Sequence, residues 1–514
     1  MTLIGTAGQA LATVAAAVAF AAAIPPVGVW PLTLAAPGLA LWAIDCDRRW
    51  RRFGLGLLFG SVHMALTQHW IGHAMQNLGG LPSWAAVLVL LGHALVSGLP
   101  WALIGVLSRP VRAVSGPALA PLALSVLWVA AERHVPVLFP YTAASPLHAV
   151  AWLLWPASLG GIPVASFVVV LCSLLTADAI IHRREPQRIR LGALATLVVV
   201  WLGVGLLLRH DVTLPPDGVR VLLVQPAVTV AEKTTSDPQR RMAAHFRAET
   251  LTLTAIESGP RPDAVVWPEG SLAFPYVAGS GTLGAEVSRR ADRFARGLGL
   301  PLLAGTLRVA DSGAIRNALL DYRPLAAAPV VYDKQRLVPF GERVPLADTF
   351  PSLATLVSGM SHYEPGTGTP RPVSLGHLVA LPTICYEAID GAFVREGLLA
   401  TNASVILNVT NDVWFGDWAE PEQHFMLQKE RAIENGVWLV RATNTGVTAL
   451  VAPNGQVVAR TDVGAMTTLR ITLPREPSPS TFYRRHGALL SWLGLAALLA
   501  ALAWRHRARW SLAR

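Results

Sequence analysis

Long apolar runs are the feature that most limits what this chain can fold into. Runs of about 17–25 residues with few charges are long enough to cross a bilayer as helices. Seven such runs precede residue 210, and an eighth follows residue 486. They lie at 6–24, 28–45, 54–76, 85–107, 116–134, 163–181, 189–208 and 487–504. The sequence therefore predicts a multi-pass α-helical membrane bundle with eight spans.

The composition agrees with a membrane protein. Charged residues make up 14% of the 514 positions and hydrophobic residues 53%, whereas soluble domains carry about 25% charge. Disordered, collagenous and purely cytosolic chains are thereby excluded. The first run lacks a basic flank and is followed directly by more apolar runs, which predicts an anchor and not a cleaved signal peptide. The apolar stretch 137–162 is broken by prolines and glycines, so we interpret it as re-entrant or interfacial.

The arginines predict the orientation of the spans. They cluster in alternate links, at 48–52, 109–112 and 183–190, and in the tail at 505–514. The other short links, near 25–26 and 77–83, contain no lysine or arginine. Basic links usually stay in the cytoplasm, so both termini should be cytoplasmic and the segment 210–486 extracytoplasmic. Much of the net charge of +10 then comes from arginines in the cytoplasmic links. This origin of the charge argues against a nucleic-acid partner.

Three domains follow from this pattern. Residues 1–209 form a membrane domain with seven helices, and 487–514 form the eighth span with a basic cytoplasmic tail. Between them, β-branched runs such as Val219–Gln225, Ala264–Trp267 and Leu378–Ile384 alternate with helical patterns such as Pro238–Glu257. Strands that alternate with helices are typical of a layered α/β fold. Residues 210–486 are therefore predicted to be an extracytoplasmic α/β domain.

The external segment contains a single cysteine, Cys385. A lone cysteine in an oxidising compartment cannot form an intrachain disulfide. It is then a buried structural thiol, an intermolecular link or a nucleophile. Cys385 directly follows an apolar strand pattern at 379–384, and the ends of strands are where α/β folds present reactive groups.

Two other charged residues also follow apolar strand patterns. Glu269 comes after Val265-Val266-Trp267-Pro268, and Lys334 after 330–333. Each one alone suits a solvated charge at a strand end. Together with Cys385 they supply a general base, a cation that can stabilise an oxyanion and lower the thiol pKa, and a nucleophile.

At these residues the sequence resembles the carbon–nitrogen hydrolase (nitrilase) superfamily, and more closely its membrane-embedded branch, the apolipoprotein N-acyltransferase family. The resemblance covers essentially the whole chain. The run Leu-Val-Pro-Phe-Gly-Glu in an eight-span chain is its most specific part. The matching segments are Trp267-Pro268-Glu269, Tyr332-Asp333-Lys334, 337–342, 384–387 (Ile-Cys-Tyr-Glu), 408–416 and 441–446.

The resemblance implies an α-β-β-α sandwich and acyl transfer by a ping-pong route. Cys385 would take an acyl chain from a membrane phospholipid as a thioester, with Glu269 as general base and Lys334 as oxyanion partner. The α-amino group of an N-terminal S-diacylglyceryl-cysteine on an apolipoprotein would then accept the chain. The family implies the bacterial inner membrane and a monomer. It implies neither a cofactor nor a metal.

The resemblance also implies supporting residues. Glu342 corresponds to the second glutamate of the superfamily, and Tyr386 and Glu387 flank the nucleophile. Trp414 is predicted to line an acyl groove, with an ordinary core position as the alternative. Family members often have a tryptophan soon after the first strand, but residues 231–233 here are Ala-Glu-Lys. That difference leaves one lipid-contact position in doubt.

Two other functions remain open at this stage. One is a membrane-anchored amidase or nitrile hydrolase, although a soluble amide gives no reason for eight spans. The other is a non-catalytic lipid-binding scaffold, which would not need Glu269, Lys334 and Cys385 together. The apolar but proline-interrupted segment 337–365 is predicted to be a mobile lid over a lipid site, with a core loop as the alternative.

Overall fold

A computed structural model describes residues 5–135, 137–181, 188–208, 212, 214–215, 217–277, 283–344, 349–350 and 363–512. Its residues pack into two compact units. One unit is helical and comprises Met1–Gly72, Ser83–His210 and Thr481–Arg514. The other comprises His73–Pro82 and Asp211–Ser480. Of the segment predicted to be a lid, 345–348 and 351–362 lie outside the described residues.

Apolar helices build the first unit. Short 3-10 helices at Trp30–Leu34 and Ser145–Leu154 interrupt their sequence. The α-helices outside the second unit's main segment are α1 (Thr6–Ala22), α2 (Ala36–Ile44), α3 (Arg49–Thr67), α4 (Ile71–Asn77), α5 (Ser83–Ser97), α6 (Leu99–His134), α7 (Ala157–Gly160), α8 (Ile162–Ile181), α9 (Arg188–Leu207), α15 (Phe482–His486) and α16 (Leu489–Leu512).

Two stretches of the described chain are long and apolar enough to cross a membrane. They are Ser83–His134, which joins α5 and α6, and α8. Shorter apolar helices lie at Thr6–Ala22, Ser145–Leu154, Leu191–Leu207 and Leu489–Ala501. The helical character of the amino-terminal region is therefore confirmed, while eight as the number of spans stays a prediction.

Prolines and glycines explain why several helices differ from the predicted runs. The run 28–45 is divided into a 3-10 helix and α2, each with a proline in its first turn. The runs 85–107 and 116–134 are instead divided between α5 and the 36-residue α6. Inside α6 the chain leaves helical geometry at Gly116, where φ is +67°, just before Pro117. Hydropathy does not detect such breaks, because they are set by backbone geometry and not by apolar content.

The second unit is built from two six-stranded sheets. The first has the order β12-β1-β2-β3-β4-β5, and the second has the order β11-β10-β9-β8-β7-β6. The strands are β1 (Val219–Gln225), β2 (Ala264–Trp267), β3 (Leu302–Val309), β4 (Ile315–Tyr322), β5 (Val330–Asp333), β6 (Val373–Leu375), β7 (Leu378–Ile384), β8 (Val405–Thr410), β9 (Trp438–Thr443), β10 (Ala449–Val451), β11 (Val457–Arg460) and β12 (Thr467–Leu473).

Each sheet has a parallel centre. β1, β2 and β3 run parallel in the first sheet, and β7, β8 and β9 run parallel in the second. Helices connect these strands because parallel neighbours need a crossover. The helices are α10 (Val230–Thr234), α11 (Pro238–Glu257), α12 (Leu283–Leu298), α13 (Gly391–Thr401) and α14 (Glu420–Asn435).

Successive side chains of the central strands point to opposite faces of each sheet and enter different cores. Leu223 and Val266 pack against Leu407 and Val440 of the other sheet. Their neighbours in the first sheet, such as Leu222, pack instead into a cluster with α11 and α12. The second sheet has a matching outer cluster with α13 and α14. The α-β-β-α sandwich is therefore confirmed.

Candidate active site

The backbone places Cys385 in a strained turn. β7 ends at Ile384, and Cys385 follows with φ of +52°, in the left-handed region. Non-glycine residues in that region cost about 1–3 kcal/mol and persist only where surrounding contacts hold them. Asn408 provides one such contact, since its Nδ2 donates to the carbonyl oxygen of Cys385 at 3.3 Å. The thiol is buried, so the turn presents it to the protein interior and not to bulk water.

The predicted base and cation meet beside the second glutamate. Lys334 Nζ lies 2.9 Å from Glu342 Oε1 and 3.8 Å from Glu269 Oε1. The side chain of Lys334 is only 1% exposed. One ammonium therefore faces two carboxylates in a site with almost no water.

Asn317 on β4 organises this group. Its Nδ2 donates to Glu269 Oε1 at 2.6 Å and to Glu342 Oε1 at 3.0 Å. Its carbonyl oxygen accepts from the backbone N–H of Lys334 at 2.8 Å. Sequence reasoning missed Asn317, because it belongs to no motif and lies 48 positions from Glu269 along the chain.

Burial and neighbouring charges determine the protonation of these groups. Burial raises the pKa of Glu269; Lys334 opposes that shift and Glu342 adds to it. Burial opposes the charge of Lys334, but Glu342, then Cys385 and Glu269, outweigh it and raise its pKa. The ammonium is therefore charged at neutral pH, while Glu269 is a stronger base than an exposed glutamate.

The nucleophile rests as a neutral thiol. Burial, followed by the charge of Glu269, raises the pKa of Cys385 well above its ordinary value, and Lys334 opposes the shift. Lys334 thus lowers the pKa of the thiol, as expected from the sequence, but burial and the charge of Glu269 outweigh its contribution. Because the resting thiol holds its proton, attack requires a base to remove it, which suits Glu269.

Glu387 links the lysine turn to the cysteine turn. Its Oε1 accepts from the backbone N–H of Gln335 at 2.6 Å and of Arg336 at 3.1 Å. Its Oε2 accepts from the hydroxyl of Tyr332 at 2.8 Å and from the N–H of Ile384 at 2.7 Å. Burial raises the pKa of this carboxyl to about 7 in spite of these bonds. The resemblance predicted Glu387 as a supporting residue beside the predicted nucleophile, but it did not predict these contacts.

The two aromatic site candidates, Tyr386 and Trp414, are both only partly buried. Tyr386 is half-buried, and burial followed by the charge of Asp390 raises its pKa to about 12. Trp414 lies in the 3-10 helix Asp412–Phe415 and is half-buried. Its carbonyl oxygen accepts from Asn77 Nδ2 at 3.0 Å. The predicted place of Trp414 in an acyl groove stays a prediction.

A buried charged cluster lies at the ends of β8 and β9. His424 Nδ1 is 3.0 Å from Asp412 Oδ1 and 3.4 Å from Glu420 Oε1. The guanidinium of Arg441 is 2.8 Å from Asp412 Oδ2 and 3.3 Å from His424 Nδ1. Burial opposes the charge of His424, but Asp412 and the hydrogen bonds to both carboxylates raise its pKa to about 9.

These residues include three donor groups of the kind that bind metals. The guanidinium of Arg441 and the imidazole of His424 already face these two carboxyl groups, so the cluster supplies its own positive charge. The side chain of Thr410 donates to Asp412 Oδ1 at 3.3 Å, which joins the cluster to the strand beside the cysteine. Asp412 and Arg441 lie in segments that the sequence analysis matched to the family, but neither residue was given a role, and Glu420 and His424 were not singled out.

Comparisons with known proteins agree with this architecture. Residues 16–175 match the family described as Apolipoprotein N-acyltransferase N-terminal domain. Residues 246–478 match the family described as Carbon-nitrogen hydrolase. Among solved structures, an amidase from Nesterenkonia sp. is 20% identical with a TM-score of 0.39, and the match covers 55% of this chain and 98% of that one.

Curated relatives match over nearly the full length. The apolipoprotein N-acyltransferase of Allorhizobium ampelinum is 30% identical, over 96% of this chain and 95% of that protein. The enzyme of the same name from Agrobacterium fabrum is 28% identical, over 98% of both. With the sandwich fold and the glutamate–lysine–cysteine group already in place, this full-length similarity shows that the chain belongs to the apolipoprotein N-acyltransferase family.

Proposed function

We propose that this chain acylates the amino terminus of lipoproteins, with a membrane phospholipid as donor and Cys385 as the carrier of the acyl chain. The acceptor is the α-amino group of an S-diacylglyceryl-cysteine. The observation that carries the proposal is the meeting of Glu269, Lys334 and Glu342 in a chain whose full-length relatives are apolipoprotein N-acyltransferases.

The first half-reaction acylates the cysteine. The carboxylate of Glu269 takes the thiol proton, and Sγ of Cys385 attacks the ester carbonyl of the phospholipid. The ammonium of Lys334 stabilises the oxyanion that forms, and it does so strongly because water is scarce around it. The intermediate collapses when the C–O bond to the glycerol breaks. Glu269 returns its proton to that oxygen, and a lysophospholipid leaves.

The second half-reaction transfers the chain. The neutral amine of the acceptor attacks the thioester carbonyl, and the same ammonium stabilises the second oxyanion. Glu269 accepts a proton from the attacking nitrogen and delivers it to the departing sulfur. The products are an amide on the lipoprotein and a free Cys385 thiol. An amidase would use water for this step, and the full-length relatives do not favour that alternative.

A membrane setting fits both substrates, because each carries long acyl chains. We retain eight spans, cytoplasmic termini and an extracytoplasmic catalytic domain as part of the proposal, with boundaries at 1–209, 210–486 and 487–514. The positive-inside pattern of the arginines supports this topology. The setting is then the inner membrane of a bacterium, with phospholipid and diacylglyceryl lipoproteins as partners.

Intact-mass analysis of purified protein incubated with phospholipid tests the proposal. Wild-type protein should gain the mass of one acyl chain, and a diacylglyceryl peptide should remove it. Cys385→Ser should gain none, because the hydroxyl pKa is too high for the same base, and loss of a nucleophile costs several orders of magnitude in rate. Cys46→Ser serves as the matched control. Normal lipoprotein acylation by Cys385→Ser would overturn the assignment.

A further inference from the structure

Lys233 lies on a short, firmly capped helix next to the active site. Thr229 and Glu232 form a capping box at the start of α10, in which Glu232 Oε2 accepts from the N–H of Thr229 at 2.8 Å. The guanidinium of Arg247 holds Glu232 Oε1 at 2.5 Å. The one carboxylate of α10 is therefore already engaged by Thr229 and Arg247, and it forms no ion pair with Lys233.

The ammonium of Lys233 contacts the loop that carries the general base. Its Nζ donates to the carbonyl oxygen of Gly270, the residue after Glu269, at 3.0 Å. A Cβ at Gly270 would lie 3.1 Å from this Nζ, and φ of Gly270 is +66°. Within the described part of the chain, no carboxylate oxygen lies within ion-pair distance of Lys233. Lys233 is partly exposed, and among the described residues its Nζ donates only to Gly270, so two of its three N–H donors remain for a ligand.

A second cation flanks the same loop. The guanidinium of Arg241 on α11 lies over the ring of Phe274, 4.4 Å from its centroid. Among the residues that the structure describes, Arg241 has no ion-pair partner. Burial lowers the pKa of Lys233 to about 8; Arg241 adds to that shift and Glu269 opposes it. Two neighbouring cations that form no ion pair with any described residue, next to the loop of Glu269, form an electrostatic site for an anion.

The donor of the proposed reaction carries such an anion. In a phospholipid, the phosphate is separated from the acyl ester by only a few bonds of the glycerol. When that ester reaches Cys385 and Glu269, the phosphate is only a few bonds away from them, which is within reach of the loop that follows Glu269. Lysine binds phosphate as a compact point charge, and arginine binds it through a planar fork.

We propose that Lys233 and Arg241 form the subsite for the phosphate of the acyl donor. The inference rests on the proposed function, because it assigns one part of that donor to named side chains. The acceptor has no phosphate, so the two cations act in the first half-reaction. They make the enzyme prefer a phospholipid over a diacylglycerol that presents the same ester.

The test compares two donors on the same protein. The rate of acyl addition to Cys385 is followed by intact mass, in a neutral detergent, with phosphatidylglycerol and with diacylglycerol. Lys233→Met should lower the phospholipid rate about 10–100-fold more than the diacylglycerol rate, which corresponds to one lost charge-assisted hydrogen bond. Arg241→Met should act in the same direction, and Lys233→Arg should restore most of the preference.

The ratio of the two rates is the decisive quantity, because a general loss of folding or of base strength lowers both rates together. Arg240→Met is the matched control, since Arg240 precedes Arg241 on α11 and faces Asp237 at 3.6 Å. It should keep the wild-type ratio. An equal loss with both donors in Lys233→Met would overturn the subsite and leave the acyltransferase intact. Failure of wild-type protein to gain an acyl chain from either donor would instead overturn the proposed function.

Inorganic phosphate distinguishes a lipid headgroup from a free ion. Millimolar phosphate should leave the wild-type rate with phosphatidylglycerol unchanged, because the lipid presents its phosphate at a high effective concentration. If phosphate inhibited wild-type protein strongly and the Lys233→Met, Arg241→Met double variant not at all, the ligand would be the free ion. The assignment to the donor would then be wrong.

Discussion

Replacement of Glu387 by glutamine should affect the rate of acylation and the stability of the protein differently. The carboxylate accepts four hydrogen bonds, two at each oxygen, and so joins the turn around Lys334 to the turn before Cys385. Glutamine has nearly the same shape but offers one acceptor oxygen and one donor group. Its amide nitrogen must therefore face one of the two donor pairs.

The less costly orientation turns the amide nitrogen toward Tyr332 and Ile384. The Tyr332 hydroxyl can rotate and accept, but the N–H of Ile384 then loses its partner, which costs about 1–3 kcal/mol for a buried group. The remaining bonds also lose their charge assistance. Removal of the buried charge has the opposite, stabilising effect. Because the pKa of this carboxyl is raised from 4.5 to about 7, loss of the charge should increase the free energy of unfolding by about 3 kcal/mol at pH 8.

These two contributions nearly cancel, so Glu387→Gln should be about as stable as wild type at pH 8. The pKa of this carboxyl is higher in the folded protein than in the unfolded chain. Between those two pKa values, the folded state therefore binds more protons than the unfolded state does. Wild-type stability from this group therefore falls as pH rises from about 4.5 to about 7. The variant has no such titration, so its stability relative to wild type should increase between pH 5 and pH 8.

Activity should respond quite differently. The lost bond is at the residue before the nucleophile, and a displacement of about 1 Å in a reacting group costs about 10²-fold in rate. Single-turnover acylation followed by intact mass measures the rate, and thermal unfolding at pH 5 and pH 8 measures stability. Glu396→Gln, an exposed glutamate on α13, is the control. Acylation of Glu387→Gln within about threefold of wild type would refute this role for the carboxylate.

Three other variants test neighbouring parts of the site. Glu342→Gln should move the acid limb of the pH profile of acylation to lower pH, because the charge of Glu342 adds to burial in raising the pKa of Glu269. An acid limb at the wild-type pH would contradict this. Arg441→Met should destabilise the protein by about 3–5 kcal/mol, since Asp412 loses its 2.8 Å partner; an unchanged melting temperature would show that the pair is dispensable. Gly446→Ala should also lower the melting temperature, because its Cβ would overlap the carboxylate of Asp412, and a wild-type melt would refute that steric argument.

The sequence was sufficient to single out the three residues of the predicted catalytic group. Glu269, Lys334 and Cys385 each follow a strand pattern, and strands of this length and composition are specified by local apolar alternation. The resemblance of the motifs around them to the carbon–nitrogen hydrolase superfamily then implied the sandwich fold. The relatives confirm the family that these residues indicated.

The supporting contacts could not be predicted in this way. Asn317 bonds to a carboxylate 48 positions away, and Glu387 bonds to Tyr332 across 55 positions. Such pairs depend on strand register and on the packing of one sheet against the other. Neither is encoded in the periodicity of a single segment. The cluster of Asp412 and Arg441 likewise exists only because β8 and β9 lie side by side.

The sequence alone therefore determined the strands around the predicted site and predicted which three residues carry the chemistry, since both depend on residue type and near neighbours. Only the tertiary structure decided the charge state of the site. The net rise in the pKa of Cys385 comes first from burial, and burial arises when the two sheets close on each other. The approach of Lys233 to Gly270, 37 positions away, also depends on tertiary structure, because the segments after β1 and β2 meet there. A desolvated charge responds to every group within several ångströms, and chain folding alone determines which groups those are.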